Sequence, residues 1–118
     1  MDIVIEFFRA FRQTPETMCC EPVVAWIERG CGSMPYSRNQ QIKLWRLGMM
    51  RGCALAAQRL GLRALGSDEV LEGDVVLARQ VGGSELLGVM AGGGVVVSAA
   101  AGVVSMTREP SIIAAWRV

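Results

Sequence analysis

Residues 86–107 read LLGVMAGGGVVVSAAAGVVSMT, and how this stretch folds decides the architecture of the chain. It holds no charged residue and is long enough to cross a bilayer as a helix. Two features favour strands instead. Three consecutive glycines interrupt it at 92–94, and its valines fall in two short runs separated by Ser-Ala-Ala-Ala-Gly. Branched side chains pack well on a pleated surface, and glycine supplies the backbone conformations of tight turns. The stretch therefore predicts buried strands rather than a membrane helix, and a membrane protein spanning at 86–107 is the least favoured of three readings.

The same pattern continues outward. VVLAR (75–79), ELLGVM (85–90), VVVSA (95–99) and VVSM (103–106) are short β-prone runs separated by glycine-rich turns, which predicts an antiparallel meander of three or four strands. GVMAGGGV (88–95) lacks the lysine and hydroxyl residue of a phosphate-cradling loop and reads as a hairpin turn. The two-residue period of a strand sets Leu87 and Val89 on the face opposite Leu86 and Met90. EPSIIAAWRV (109–118) reads as a helical turn that buries Trp116.

Ahead of residue 65 the period is helical. Val4, Phe7, Phe8 and Phe11 form one stripe, and that helix stops before Pro15, because the residue preceding a proline avoids helical geometry. A second helix is predicted to start near Met18 or Cys19. Pro22 is tolerated in its first turn, Val23, Trp26 and Ile27 share a face, and Gly30 can end it. Both Cys19 and Cys20 then sit at a helix N-terminus. GCGSMPYSRN (30–39) is a loop, with Asn39 a cap for the segment 41–62. There Ile42, Trp45, Met49, Cys53, Ala56 and Leu60 form a stripe, and Gly48 and Gly52 mark a kink, a break or a close approach. The fold class is α+β, with N-terminal helices packed on one face of a small C-terminal antiparallel sheet. Residues 1–118 form a single domain, mainly helical over 1–65 and a β meander with a short helical turn over 73–118.

Composition narrows the function classes. Twelve basic and eleven acidic residues leave a formal charge of +1, so no global field draws the chain to nucleic acid or an anionic membrane. MDIVIEFFRAFRQ has neither a basic region ahead of its apolar residues nor a small-residue cleavage site, which predicts folding in a reducing cytosol with free thiols. Four cysteines at irregular spacing suit neither a disulfide framework nor a paired metal motif. Cys19, Cys20, Cys31 and Cys53 could meet around iron or zinc only if the loop and long helix folded back on the second helix, so no metal and no cofactor is expected. Arg38, Lys43, Arg46 and Arg51 read as the solvated side of a helix, and Trp26, Trp45 and Trp116 as core residues.

A cysteine opening a helix, followed by an antiparallel sheet announced by GDVVL (73–77) and continued by LLGVMAGGGVVVSA (86–99), resembles the papain-like fold of NlpC-type cell-wall cysteine peptidases. More narrowly, the CC pair with Trp26, the central GDVVL and the terminal AAWRV (114–118) resemble a group of small phage proteins encoded among tail genes. The resemblance covers most of the chain. It lays Cys19 on the family cysteine, Leu86 on the histidine that opens a strand, Gly88 and Gly92 on that strand's glycines, and Ser98 on the third polar residue. It departs where chemistry matters, since Met18 replaces the aspartate before the cysteine and Leu86 replaces the base.

Cysteine hydrolysis needs a thiolate for attack and an acid to protonate the leaving amine, and histidine serves both because it titrates near the working pH. This chain has no histidine. A helix N-terminus favours a thiolate but does not supply the acid. Glu21 and Asp74 are the nearest carboxylates, and a solvated carboxylate is a feeble base for a thiol. Cys19, Leu86 and Ser98 therefore read as vestigial positions with no catalytic residue among them. The resemblance then implies a bacteriophage virion protein assembled in the host cytoplasm, a tail-tip or tail-assembly component. It would bind other tail proteins such as the hub, distal tail or central fibre proteins. The alternative is a peptidoglycan amidase or peptidase with Cys19 as nucleophile and a base borrowed from a partner chain.

Overall fold

The computed structural model describes residues 2–15, 20–32, 38–46, 48–80, 82–100 and 102–118, with the side chains at 31, 38, 41, 44, 45, 49 and 100 outside the description. Four helical segments precede six strands: α1 (Ile3–Ala10), α2 (Cys20–Cys31), α3 (Arg38–Arg46), α4 (Met49–Leu60), β1 (Arg63–Leu65), β2 (Val75–Arg79), β3 (Glu85–Ala91), β4 (Val95–Ala100), β5 (Val103–Arg108) and β6 (Ser111–Arg117). The order of helices first and sheet afterwards is the α+β layout that the change of period predicts.

Each helix has a local cause. Asp2 caps α1 by accepting hydrogen bonds from the backbone N–H groups of Val4 and Ile5, and Val4 and Phe8 of the stripe are fully buried. α2 carries Pro22 in its first turn and runs through Gly30 to Cys31. Gly32, at φ 85°, takes the left-handed turn that ends it and donates to the Glu28 carbonyl at 2.8 Å. The segment 41–62 is broken at Gly48, whose φ of 104° is open to glycine, so α3 and α4 are separate helices. Gly52 lies buried inside α4, and Gly61 closes that helix in left-handed geometry while Leu62 N–H reaches back to the Ala57 carbonyl. Trp45 and Met49 of the stripe fall outside the described side chains.

The sheet is antiparallel throughout, in the order β1-β6-β2-β3-β4-β5. The predicted meander corresponds to β2–β5, and the Gly92–Gly94 turn joins β3 to β4. Two elements correct the sequence reading. The C-terminal segment is strand β6, not a helical turn, and it inserts between β1 and β2. Its Ala114 pairs with Leu77 and its Ile112 with Ala78, so Ile113 is an extra residue that bulges the strand. β1 is the second correction, a three-residue strand that completes the other side of β6.

Both faces of the sheet are buried, by different means. On one face Val75, Leu77, Leu87, Val89, Val97 and Trp116 join Val4 and Phe8 of α1, Val23, Trp26 and Ile27 of α2, and Cys53 and Ala57 of α4. On the other face Val76, Ala78, Leu86, Met90, Val96 and Ala115 form a second cluster, flanked by Leu65, Val70 and Ile112. No described helical residue belongs to this second cluster, and its flanking residues lie on β1, on β6 and in the loop ahead of β2. Leu87 and Val89 do lie opposite Leu86 and Met90, as the strand period requires.

Candidate functional site

Cys19 and Met18 lie outside the described residues, so the geometry of the site starts from their neighbour. Cys20 opens α2 as described and is buried on the helical side of the sheet. Leu86 and Ser98 are also buried, at 6% and 7% exposure, and Leu86 belongs to the cluster on the face away from α1, α2 and α4. Ser98 shares the face of Val96, two positions before it on β4. The side chains of β3 on the helical side are those of Leu87 and Val89, one register step from the position aligned with histidine. Leu86 thus packs against hydrocarbon rather than toward the described part of α2. A one-residue step in a strand exchanges its two faces, which is why a sequence alignment at this point is so sensitive.

The two glycines of the aligned pattern have structural causes of their own. A Cβ placed on Gly88 would collide with the Val97 carbonyl oxygen, so β3 and β4 approach too closely there for any side chain. Gly92 donates its N–H to Asp2 Oδ2 at 2.7 Å, tying the β3–β4 turn to the cap of α1. That hydrogen bond is the main reason the Asp2 carboxyl is held below its ordinary value, burial opposing it and the Ile5 and Val4 N–H groups adding to it.

The most developed polar constellation links the three sequence motifs to one another. GDVVL and AAWRV lie side by side, with Val75 opposite Trp116 and Val76 opposite Ala115. Asp74 is buried at the start of β2 and accepts from Leu71 N–H at 2.8 Å. Arg117 grips the same carboxylate with two hydrogen bonds, Nε to Oδ1 at 3.1 Å and Nη2 to Oδ2 at 3.0 Å. Its Nη2 also donates to the Glu69 carbonyl, and the Glu69 carboxylate pairs with Arg63 at 3.0 Å. The hydrogen bond to Asp74 pushes the Arg117 guanidinium above its ordinary value. Trp26 Nε1 donates to the Gly73 carbonyl at 2.9 Å, joining α2 to the same corner. Asp74 is therefore engaged on both oxygens as a structural anchor.

An open cleft of about 500 Å³ lies over this corner, with Arg29 stacked 5.0 Å above the Trp26 ring and Leu71, Glu72 and Val118 at its rim. A smaller apolar cavity of about 30 Å³ lies where α2 and α4 meet the sheet, lined by Val24, Ile27, Cys53, Ala57, Leu60 and Leu87 among others. Among the described residues, no three histidine, cysteine, aspartate or glutamate side chains are placed to hold a metal ion. Cys19 and the Cys31 side chain lie outside that description. Lys43, Arg46 and Arg51 are exposed, on the solvated side of their helices, and no described helix is long and apolar enough to cross a membrane.

No protein-family model, curated protein or solved structure matches this chain.

Sequence reasoning singled out Asp74 and the AAWRV motif separately but missed that they meet. The available signal was an aspartate immediately before one buried run and an arginine immediately after another, an arrangement that suits two adjacent strands closed by an ion pair.

Proposed function

We propose that this chain is a structural component of a bacteriophage tail, at the tail tip or in tail assembly, built on a reduced and catalytically inactive NlpC-like fold. It acts through contacts with other tail proteins such as hub, distal tail or central fibre proteins, and it would be found in the virion after assembly in the host cytoplasm. One observation carries the proposal. The two positions that the family resemblance aligns with the histidine and the third polar residue are Leu86 and Ser98, both buried in a sheet lined with valine, alanine and methionine, in a chain without histidine. A cysteine hydrolase of that family needs a titrating group facing its cysteine, and the aligned positions here hold a leucine and a buried serine on the face away from α2. The helix-before-sheet order, the GDVVL–AAWRV pairing and the Trp26–Gly73 hydrogen bond give a physical reason for that motif set to occur together without catalysis.

Quantitative mass spectrometry of gradient-purified particles of the encoding phage tests the proposal. The chain should be present at a fixed low copy number relative to the major tail protein, and cross-linking should connect it to tail neighbours. Absence from the particle, together with failure to join any tail protein in the infected cell, would overturn the reading.

A further inference from the structure

The two edges of the sheet differ in a way that points to a partner. β1 forms one edge with only three residues, and its Arg63 is committed to Glu69. Short length and charge are the devices that keep an edge strand from pairing with another chain. β5 forms the other edge and is twice as long, with its charge confined to its last residue. It contains no proline and pairs with β4 without a bulge from Val103 to Arg108. Nothing among the described residues pairs with its outer side. Val103 and Met106 are 61% and 46% exposed there.

A bare edge specifies an extended strand as its occupant, because only a strand satisfies its row of backbone N–H and C=O groups. The side chains then specify which strand. Around Ser105 the sequence VVSMT (103–107) is chemically symmetric. Val104 and Met106 are the apolar residues one step to either side, and Val103 and Thr107 are the β-branched residues two steps to either side. A second copy of β5 laid antiparallel with Ser105 opposite Ser105 puts Val104 against Met106 and Val103 against Thr107, twice each. Arg108 then falls opposite Gly102, and the two arginines lie at opposite ends of the ladder, so no like charges meet. Moving the axis by one residue, to Met106, sets Val104 against Arg108 and loses the match.

We propose that this protein pairs with a second copy of itself through β5, about a two-fold axis at Ser105. The axis is perpendicular to the sheet, so one sheet runs through both copies and their helices lie on the same face. The interface is isologous, and it leaves the Arg29–Trp26 cleft and the β1 edge free for other contacts. This inference does not depend on the phage reading, because it rests on the edge alone.

Sedimentation equilibrium over a concentration series tests it. The wild-type chain should approach twice its monomer mass, and the double variant Val103→Lys with Met106→Lys should return to the monomer mass with an unchanged far-ultraviolet spectrum, both positions being exposed. Under mild oxidation Ser105→Cys should form a disulfide-linked dimer at least about tenfold faster than Val104→Cys, since only at the axis do identical positions come within disulfide reach. If the lysine variant fails to fold, the cross-linking ratio decides alone. A wild-type monomer at every concentration, a dimer that survives the lysine substitutions, or equal cross-linking at 104 and 105 would each overturn the proposal.

Discussion

Asp74 holds the corner at which three distant parts of the chain meet, and its neighbours define what its loss would do. Its carboxylate accepts from Leu71 N–H and from two nitrogens of Arg117, and it is almost wholly buried. Replacing it by alanine leaves the Leu71 N–H without its acceptor and a guanidinium without its counter-charge. Asp74→Ala should therefore lower the free energy of unfolding by about 1–3 kcal/mol, the usual cost of removing one partner from a set of hydrogen bonds around a buried carboxylate whose cationic partner is partly solvated. Urea denaturation with an unchanged slope checks it. A loss below 1 kcal/mol would mean that the loop re-forms around water and that the pair is incidental. The residue-scale features of the site were only half legible in the sequence. The absence of histidine is plain from composition. The Asp74–Arg117 pair spans 43 positions, and no local pattern reports which strand becomes the neighbour of β2.

Elements were legible where their period was clean and obscure where packing broke it. The α1 stripe and the faces of β3 follow from spacing, because side chains on a regular element repeat with the backbone, whereas the break at Gly48 is one of three outcomes that the two glycines of that segment leave open. β6 was read as a helical turn because its bulge puts Ile113 and Ala114 toward the same core, so the two-residue alternation fails where it was needed. β1 is too short to carry any period. The α1 cap gives an element-scale prediction. Asp2 uses one oxygen to cap the helix and the other to hold the Gly92 turn, and these hydrogen bonds depress its folded titration below the ordinary value of 3.8. A group whose folded value is depressed stabilises the fold above its unfolded value, and that contribution is lost as pH falls through the folded one. The thermal midpoint of wild type should exceed that of Asp2→Asn at neutral pH, and the difference should close as pH drops below 3.8. A difference constant across that range would show that the charge at Asp2 contributes nothing and that the cap geometry alone matters.

At the scale of the whole molecule, the sheet divides the apolar residues into two cores, an inner one on the face away from the helices and an outer one beneath them, that share one set of strands. The described inner cluster is made of strand residues with one loop beside it, whereas the outer one depends on how well three helices fit the opposite face. The fit is incomplete at one place, the cavity of about 30 Å³ between α2, α4 and the sheet. Its walls are hydrocarbon and the Cys53 thiol, so water gains little by entering, and the surrounding atoms lose dispersion contacts that a filled core would have. That volume has room for roughly one added methylene, so a group placed in it fills space rather than overpacking the core. Val24→Ile supplies it from α2, where Val24 is buried and lines the cavity. The substitution should raise stability by about 0.8 kcal/mol, the value of one buried methylene, and the thermal midpoint by about 3 °C. Differential scanning calorimetry of the two proteins at equal concentration separates this from any effect of self-association. A lowered midpoint would mean that the helices already sit as close to the sheet as their side chains allow, leaving the outer core as tightly determined as the inner one.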